Sequence, residues 1–239
     1  MNDRPPYPRC CSSPIDHWPL PQTLADVRLL STHFDPALLD PEDFARWAIP
    51  APKGVSKRQT EFLAGRLCAH EALRALTGMP FVPPVGEDRA PQWPQGIVGS
   101  ITHGAGWAGA VVGRQHQWDG LGLDIERLLA PERAERLAGE ILTPAEMSRY
   151  VALGEGERAE LVTRTFSLKE SLFKALYPLV KQRFYFQDAC VMECTPDGAA
   201  RLRLQIDLSD NWRKGAEFDG QFATFDGYVL SLISIARRS

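Results

Sequence analysis

The sequence predicts an α+β protein of two halves, each a set of strands with one long helix. Three observations predict it. Short glycine-bounded runs of Val, Ile and Leu recur, as in "GIVGSITHG", "GWAGAVVG" and "WDGLGLDIERL", and such runs read as strands. Two long segments, 57–77 and about 157–177, carry helical periodicity instead. A break near Gly113–Asp119 leaves strands and one long helix on either side.

Taken in order, residues 1–25 form an irregular arm with prolines at 5, 6, 8, 14, 19 and 21. "DVRLLSTHF" (26–34) reads as a strand, and "DPALLDPEDFARWA" holds short helical turns opened by Asp-Pro pairs. The first long helix has Ser56 as N-cap with Gln59 completing a capping box, and Gly78 as its stop. A proline-rich loop, "MPFVPPVGEDRAPQWPQG", separates it from the three strand runs, of which the first two form a hairpin. Helices follow at about 131–139, at 144–152 with Thr143 as N-cap and Pro144 in the first position, and at 157–177, where Pro178 ends the run. "ACVMEC", "ARLRLQIDL", "GQFATF" and "YVLSLISIA" return to strands, with "TPDGA" and "FDG" as turns.

The bulk numbers bound the function. A chain of 239 residues, 44% hydrophobic and 24% charged, buries a real core. A net charge of -3 leaves no basic excess for nucleic acid. No apolar run approaches the roughly 18–20 residues of a membrane span, and the N-terminus lacks an apolar signal-peptide region, so a cytoplasmic location is expected. The cysteines, at 10, 11, 68, 190 and 194, are odd in number and form no C-x-x-C pair, which argues against a disulfide framework or structural zinc.

The segment "TRTFSLKESLFKALYPL" poses the sharpest question. On a helical plot Phe166, Leu168, Leu172, Phe173 and Leu176 share a broad apolar arc, and Ser167, Glu170, Ser171 and Lys174 fill the opposite one. Lys169 falls inside the apolar arc. Either its stem lies on apolar surface with its ammonium in water, or something negative sits beside it.

Carboxylates supply a second clue. In "GLGLDIERL" strand alternation turns Leu121, Leu123 and Ile125 to the core and Gly122, Asp124 and Glu126 the other way. Asp124 and Glu126 are then about 7 Å apart, with space left by Gly122. Such a pair repels itself or takes a hard cation, and Mg²⁺ suits it; a solvated strand end is the plain alternative. Glu170 offers a third carboxylate, with Lys174 as an i,i+4 partner. On the first long helix Arg58, Phe62 and Arg66 form a stripe in which Arg66 points along apolar neighbours and wants a carboxylate or phosphate. "GSITHG" adds Thr102 and His103 at a strand end but is no G-x-S-x-G elbow. There is no P-loop and no convincing dinucleotide fingerprint. These residues imply magnesium-dependent chemistry on a phosphorylated small molecule. They do not name the molecule.

"GLGLDIE" resembles the G-[IV]-D-[IVL]-E signature of 4′-phosphopantetheinyl transferases, and "FSLKESLFKA" resembles their [FW]-[SCT]-x-K-E-[SA]-x-x-K signature. "RQTEFLAGRLCAHEAL", "DRAPQWP" and "GSITHG" are similar to the Sfp/EntD-type branch, especially its EntD-like members. The resemblance runs from about Arg58 to Tyr177. It implies a pseudo-dimer of two similar α+β halves, 1–116 on the 3′-phosphate and adenine side of coenzyme A and 117–239 on the metal-binding and catalytic side, with coenzyme A between them. The implied reaction moves the phosphopantetheine arm to a serine of an acyl, peptidyl or aryl carrier protein and releases 3′,5′-ADP. Asp124, Glu126 and Glu170 would hold Mg²⁺; Lys169 and Lys174 would lie along the phosphates; Arg58, Arg66, Thr102 and His103 would take the 3′-phosphate, with Arg89 near it or the adenine. Glu170, Lys174 or a metal-bound water would take the serine proton. A monomer is expected, and "YPLVKQRFYF" is the candidate carrier dock. The alternatives are a Mg²⁺-dependent hydrolase of coenzyme A or a nucleotide pyrophosphate, and a non-catalytic binder.

Overall fold

The computed structural model describes residues 5–237; Met1–Arg4 of the expected arm and Arg238–Ser239 of the expected second half lie outside them. The class is α+β, as expected: two antiparallel sheets with helices. The chain forms two compact units, one from the N-terminus to Trp18 together with Leu24–Gln115, the other from Pro19–Thr23 together with the chain from His116 onward.

The first unit holds β1 (Ile15–Asp16), β2 (Val27–His33), α1 (Glu42–Arg46), α2 (Ser56–Thr77), β3 (Ile97–Gly104) and β4 (Trp107–Arg114). Its sheet runs β1-β2-β4-β3, and β3 and β4 are the expected hairpin, with Ile101 opposite Ala110. The arm is less irregular than its prolines suggest, since β1 adds to the sheet edge. Helix α2 stops where expected: Gly78 takes φ +78°, a left-handed conformation that suits glycine. Its start is a correction. Val55 is the N-cap, Ser56 lies inside the first turn, and Gln59 Nε2 donates to the Pro52 carbonyl (3.1 Å) rather than closing a box. Leu63, Ala64 and Leu67 of α2 pack with Phe44, Trp47 and Phe34.

The second unit holds β5 (Trp118–Arg127), α3 (Pro131–Ile141), α4 (Pro144–Val151), α5 (Glu155–Val180), β6 (Ala189–Cys194), β7 (Ala199–Leu204), β8 (Glu217–Phe225) and β9 (Tyr228–Ala236). Its sheet runs β5-β9-β8-β7-β6. Thr143 caps α4 as expected, in a capping box whose other half is Glu146. Helix α5 is longer than expected and runs through Pro178. A proline so near the C-terminus costs little, because few backbone bonds remain to be lost there. Lys181, at φ +52°, ends the helix instead, its N–H donating to the Tyr177 carbonyl (2.8 Å). Leu168, Leu172 and Leu176 of α5 pack on Leu202, Leu204 and Ile233 of the sheet, while Ala159 and Val162 pack with Ala134, Ala138 and Tyr150 of α3 and α4. Helix α5 is thus enclosed between sheet and helices. No helix among the described residues is long and apolar enough to cross a membrane.

Candidate active site

In the second unit the site is built where α5 lies on β5. Gly122 does not leave a space. A Cβ there would sit 1.8 Å from the Ser171 carbonyl oxygen, and one at Gly120 would sit 2.4 Å from that of Ala175. Glycine lets the helix backbone rest directly on the strand. The serines of the polar arc complete the contact: Ser167 Oγ and Ser171 Oγ lie 2.7 and 2.8 Å from Ser231 Oγ, all fully buried. Ser167 and Ser171 of the polar arc therefore face the sheet, not solvent.

This seating brings Lys174 to Asp124. Its ammonium donates to Asp124 Oδ1 (2.7 Å) and to the Leu123 carbonyl (3.1 Å). Asp124 is only 4% exposed, so it is not a solvated strand-end carboxylate. Glu126 and Glu170 share the same electrostatic neighbourhood. Burial, then the charge of Asp124, pushes the Glu126 carboxyl up to about 7, against a partial offset from Lys174. Burial raises Glu170 as well; Lys174 opposes this and Asp124 adds to it. Lys174 thus pairs with Asp124 directly, while Glu126 and Glu170 feel both charges; together the three carboxylates offer hard oxygen donors whose repulsion a divalent cation would relieve. The donor chemistry fits Mg²⁺. The side chains are not already drawn into a metal cluster, since no group of three Asp, Glu, His or Cys among the described residues is close enough. A cation would have to draw them inward.

Lys169 is the correction. Its ammonium is 2% exposed and is held inside the protein by Glu146 Oε2 (2.7 Å) and the Ile141 carbonyl (2.8 Å). The negative partner exists, but it is a side chain of α4 rather than a phosphate. At Lys169 the helix faces α3 and α4, so its ammonium must be satisfied there. Glu146 also accepts from the Val191 N–H (2.6 Å) and from Thr143 Oγ1 (2.9 Å). Sequence reasoning missed Glu146, although the spacing Thr143-x-x-Glu146 is a capping-box signal. A pocket of ≈ 210 Å³ is lined by Lys169, Glu170, Phe173, Arg183, Tyr185 and Phe186, among others.

The expected phosphate-binding residues belong to the first unit. Arg66 is 6% exposed, its guanidinium 4.7 Å from the centroid of the Phe62 ring, and its Nε is buried without a hydrogen-bond partner. Burial drags its pKa down to about 10. The carboxylate partner that the sequence left open is not found among the described residues. An unpaired buried guanidinium is costly and calls for an anion. Thr102 is buried at the end of β3, and His103 beside it is half-exposed, with Nδ1 3.9 Å from Glu61 Oε2 on α2. Helix and strand lie tightly together here, since a Cβ on Gly65 would fall 2.7 Å from Ile101 Cγ2. Arg58 is exposed one turn before Phe62, and Arg89 is exposed in a turn at φ +66°, its N–H donating to the Gly86 carbonyl (2.9 Å).

Comparison with known sequences finds the 4′-phosphopantetheinyl transferase N-terminal domain over residues 48–113 and the 4′-phosphopantetheinyl transferase superfamily over residues 120–233. The 4′-phosphopantetheinyl transferase Svp of Streptomyces mobaraensis is 35% identical over 205 residues, 84% of this chain and 80% of that one. The chain belongs to the 4′-phosphopantetheinyl transferase superfamily. Enterobactin synthase component D of Escherichia coli O157:H7 is 45% identical over 119 residues, 50% of this chain; there the match spans only about half of the relative, 55%. Among solved structures, Thermotoga maritima holo-[acyl-carrier-protein] synthase aligns with a TM-score of 0.39 at 25% identity, covering 51% of this chain and 65% of that one. Each phosphopantetheinyl transferase match falls within one compact unit, the first in residues 24–115 and the second in the chain from His116.

Proposed function

We propose that the chain transfers the 4′-phosphopantetheine arm of coenzyme A to a serine of a carrier protein and releases 3′,5′-ADP. The observation that carries the reading is the Lys174–Asp124 pair, with Glu126 and Glu170, both raised in pKa by burial, within reach of its charges, on the two signatures by which the chain resembles these transferases. Asp124, Glu126 and Glu170 would hold Mg²⁺ at the pyrophosphate. A bound Mg²⁺ supplies charge neutralisation for the transferring phosphoryl group. Lys174 adds its ammonium beside Asp124. As a group already donating to a carboxylate and a carbonyl, it is a poor proton acceptor. Glu170, a nearby carboxylate outside the two bonds that Lys174 donates to Asp124 and the Leu123 carbonyl, would take the proton of the carrier serine. Arg66, with Arg58, Thr102 and His103, would take the 3′-phosphate, and Arg89 would stand near the adenine.

Intact-mass measurement of a carrier protein incubated with coenzyme A and Mg²⁺ tests the reading. Transfer adds about 340 Da to the carrier and needs the metal. Turnover of coenzyme A with an unmodified carrier would mark a hydrolase, and no turnover a binder.

The 3′-phosphate assignment has its own test. Arg66→Met or His103→Ala should weaken coenzyme A binding by about tenfold or more while changing 3′-dephospho-coenzyme A little, because only the former has the phosphate to lose. Equal losses, read by calorimetry, would move these residues away from that phosphate.

Metal binding should depend on pH through Glu126. Its folded pKa of about 7 stands above the ordinary 4.5. Between those values the folded protein keeps a proton that the unfolded chain has released, so this group's contribution to stability falls as pH rises through that window. Mg²⁺ competes with the proton and relieves the repulsion. Mg²⁺ should therefore raise the melting temperature by a few degrees at about pH 8 and hardly at all near pH 5.5. Glu126→Gln should flatten that difference; a Mg²⁺ shift independent of pH would remove Glu126 from the site.

The carrier would dock at the end of α5. The dock is smaller than the sequence suggests, because Phe184 is buried in the core, whereas Leu179 and Tyr185 are exposed. Lys181 and Arg183 are exposed beside them. Lys181→Glu with Arg183→Glu should raise the carrier KM several-fold, leave the coenzyme A KM nearly unchanged and flatten the salt dependence of the former. An unchanged carrier KM would place the dock elsewhere.

A further inference from the structure

Three of the cysteines belong to the first unit, and two of them are adjacent. Cys10 Sγ lies 3.9 Å from Cys11 Sγ, within hydrogen-bond reach for sulfur. Both are buried, yet they sit in a turn between exposed Arg9 and Ser12. Three backbone bonds hold this turn: Cys11 N–H to the Pro8 carbonyl, Asp35 N–H to the Cys10 carbonyl and Ser12 N–H to the His33 carbonyl, each 2.9 Å. No third Cys, His, Asp or Glu among the described residues closes the pair into a metal site, so the chemistry open to it is that which two sulfurs satisfy by themselves.

We propose that Cys10 and Cys11 form an oxidation site that reacts with a peroxide and closes to a disulfide. Cys10 is the attacking sulfur. The Cys10–Cys11 hydrogen bond can run either way; with Cys11 as its donor it lowers the Cys10 pKa and, together with burial, raises that of Cys11. The Cys10 thiolate attacks one peroxide oxygen, the O–O bond breaks, and water leaves after taking up the thiol proton. The resulting Cys10 sulfenic acid is next to its resolving partner. Cys11 sulfur attacks Cys10 sulfur, the S–O bond breaks, and a second water leaves with the Cys11 proton. Two thiols are oxidised to one disulfide, and one peroxide is reduced to two waters.

The site bears on its surroundings. Cys10 and Cys11 share a core cluster with Trp47, Leu63 and Leu67, against which Phe62 packs, and Phe62 carries the Arg66 guanidinium. Adjacent Cα atoms are only about 3.8 Å apart, closer than ordinary disulfides allow. Ring closure must therefore shift the backbone of the turn and the packing beneath Phe62. Oxidation is expected to weaken the anion site at Arg66. That consequence rests on the function proposed above; the oxidation itself does not.

The test is mass spectrometry of the full chain after brief treatment with hydrogen peroxide. Cys194 is the internal control, since it is the one cysteine that is not buried and would react first if exposure alone decided. The Cys10–Cys11 peptide should lose about 2 Da, recover with dithiothreitol, and react about tenfold faster than Cys194. In Cys11→Ser, Cys10 should stop as a sulfenic acid that dimedone traps. Oxidation of Cys194 ahead of an unchanged Cys10–Cys11 peptide would overturn the proposal, as would a Cys11→Ser variant in which dimedone finds nothing at Cys10. Oxidised protein should bind coenzyme A several-fold more weakly, with 3′-dephospho-coenzyme A little affected. Unaltered coenzyme A affinity in fully oxidised protein would remove the link to Arg66 and leave the oxidation standing.

Discussion

Asp124→Asn should reduce phosphopantetheine transfer at least about a hundredfold, since it removes a charge proposed to hold Mg²⁺ while keeping the shape of the side chain. The choice of asparagine follows from the structure. The sequence alone presents Asp124 as a surface carboxylate whose removal to alanine leaves the fold near intact. In the fold it is buried beneath Lys174 and accepts its ammonium at 2.7 Å. Alanine would leave that ammonium short of a partner and mix a stability loss into the activity loss. Asparagine keeps an oxygen acceptor for Lys174 and removes only the charge. The variant should retain coenzyme A binding through the residues proposed for the 3′-phosphate, so kcat should fall much more than affinity for coenzyme A. Transfer near the wild-type rate at saturating Mg²⁺ would remove Asp124 from the metal site.

The local features of the fold are the ones that its sequence makes legible. Gly78 marks the end of α2 because only a residue tolerant of positive φ closes that helix cheaply, and Thr143-Pro144 marks the start of α4 because both residues suit their cap positions. The β3–β4 hairpin is local and readable for the same reason. What is not legible is non-local. Strand β5 pairs with β9, Asp124 standing opposite Ser231, and no periodicity in either strand specifies that partner. The site divides in the same way. Asp124, Glu126, Glu170 and Lys174 are readable by type and spacing; that Lys174 donates to Asp124 on β5, where the spacing offered Glu170 as its partner, is not. The helical plot of α5 misleads because it assumes one wet face, whereas Ser167 and Ser171 are packed on the sheet and Lys169 on the opposite helices. A cation within an apolar arc is a reliable sign of an anion nearby. It does not say whether that anion is a ligand or a side chain 23 residues away.

Glu146→Ala should be among the most destabilising single changes available, costing about 3–5 kcal/mol. It strips the partner from an ammonium that is 2% exposed. Burial already lowers the pKa of Lys169, and the charge of Glu146 is the largest effect opposing that fall. The same substitution removes the acceptor of the Val191 N–H and half of the α4 capping box, so α4 and edge strand β6 lose one of their ties, while Arg149 still donates to the Val191 and Met192 carbonyls. Lys169→Met should cost less, because methionine fills the stem's volume and Glu146 keeps its bonds to Val191 and Thr143. The double variant Glu146→Gln with Lys169→Met should be more stable than the sum of its single changes by about 1–3 kcal/mol, since neither buried charge is then left alone. Urea titrations of wild type, Glu146→Gln, Lys169→Met and the double variant close this cycle, and a fifth reads Glu146→Ala. Strict additivity, or a Glu146→Ala loss below about 1 kcal/mol, would mean that water reaches the Lys169 ammonium after all. In that case the plainer reading of this helix, a stem on apolar surface with a solvated head, would be the right one.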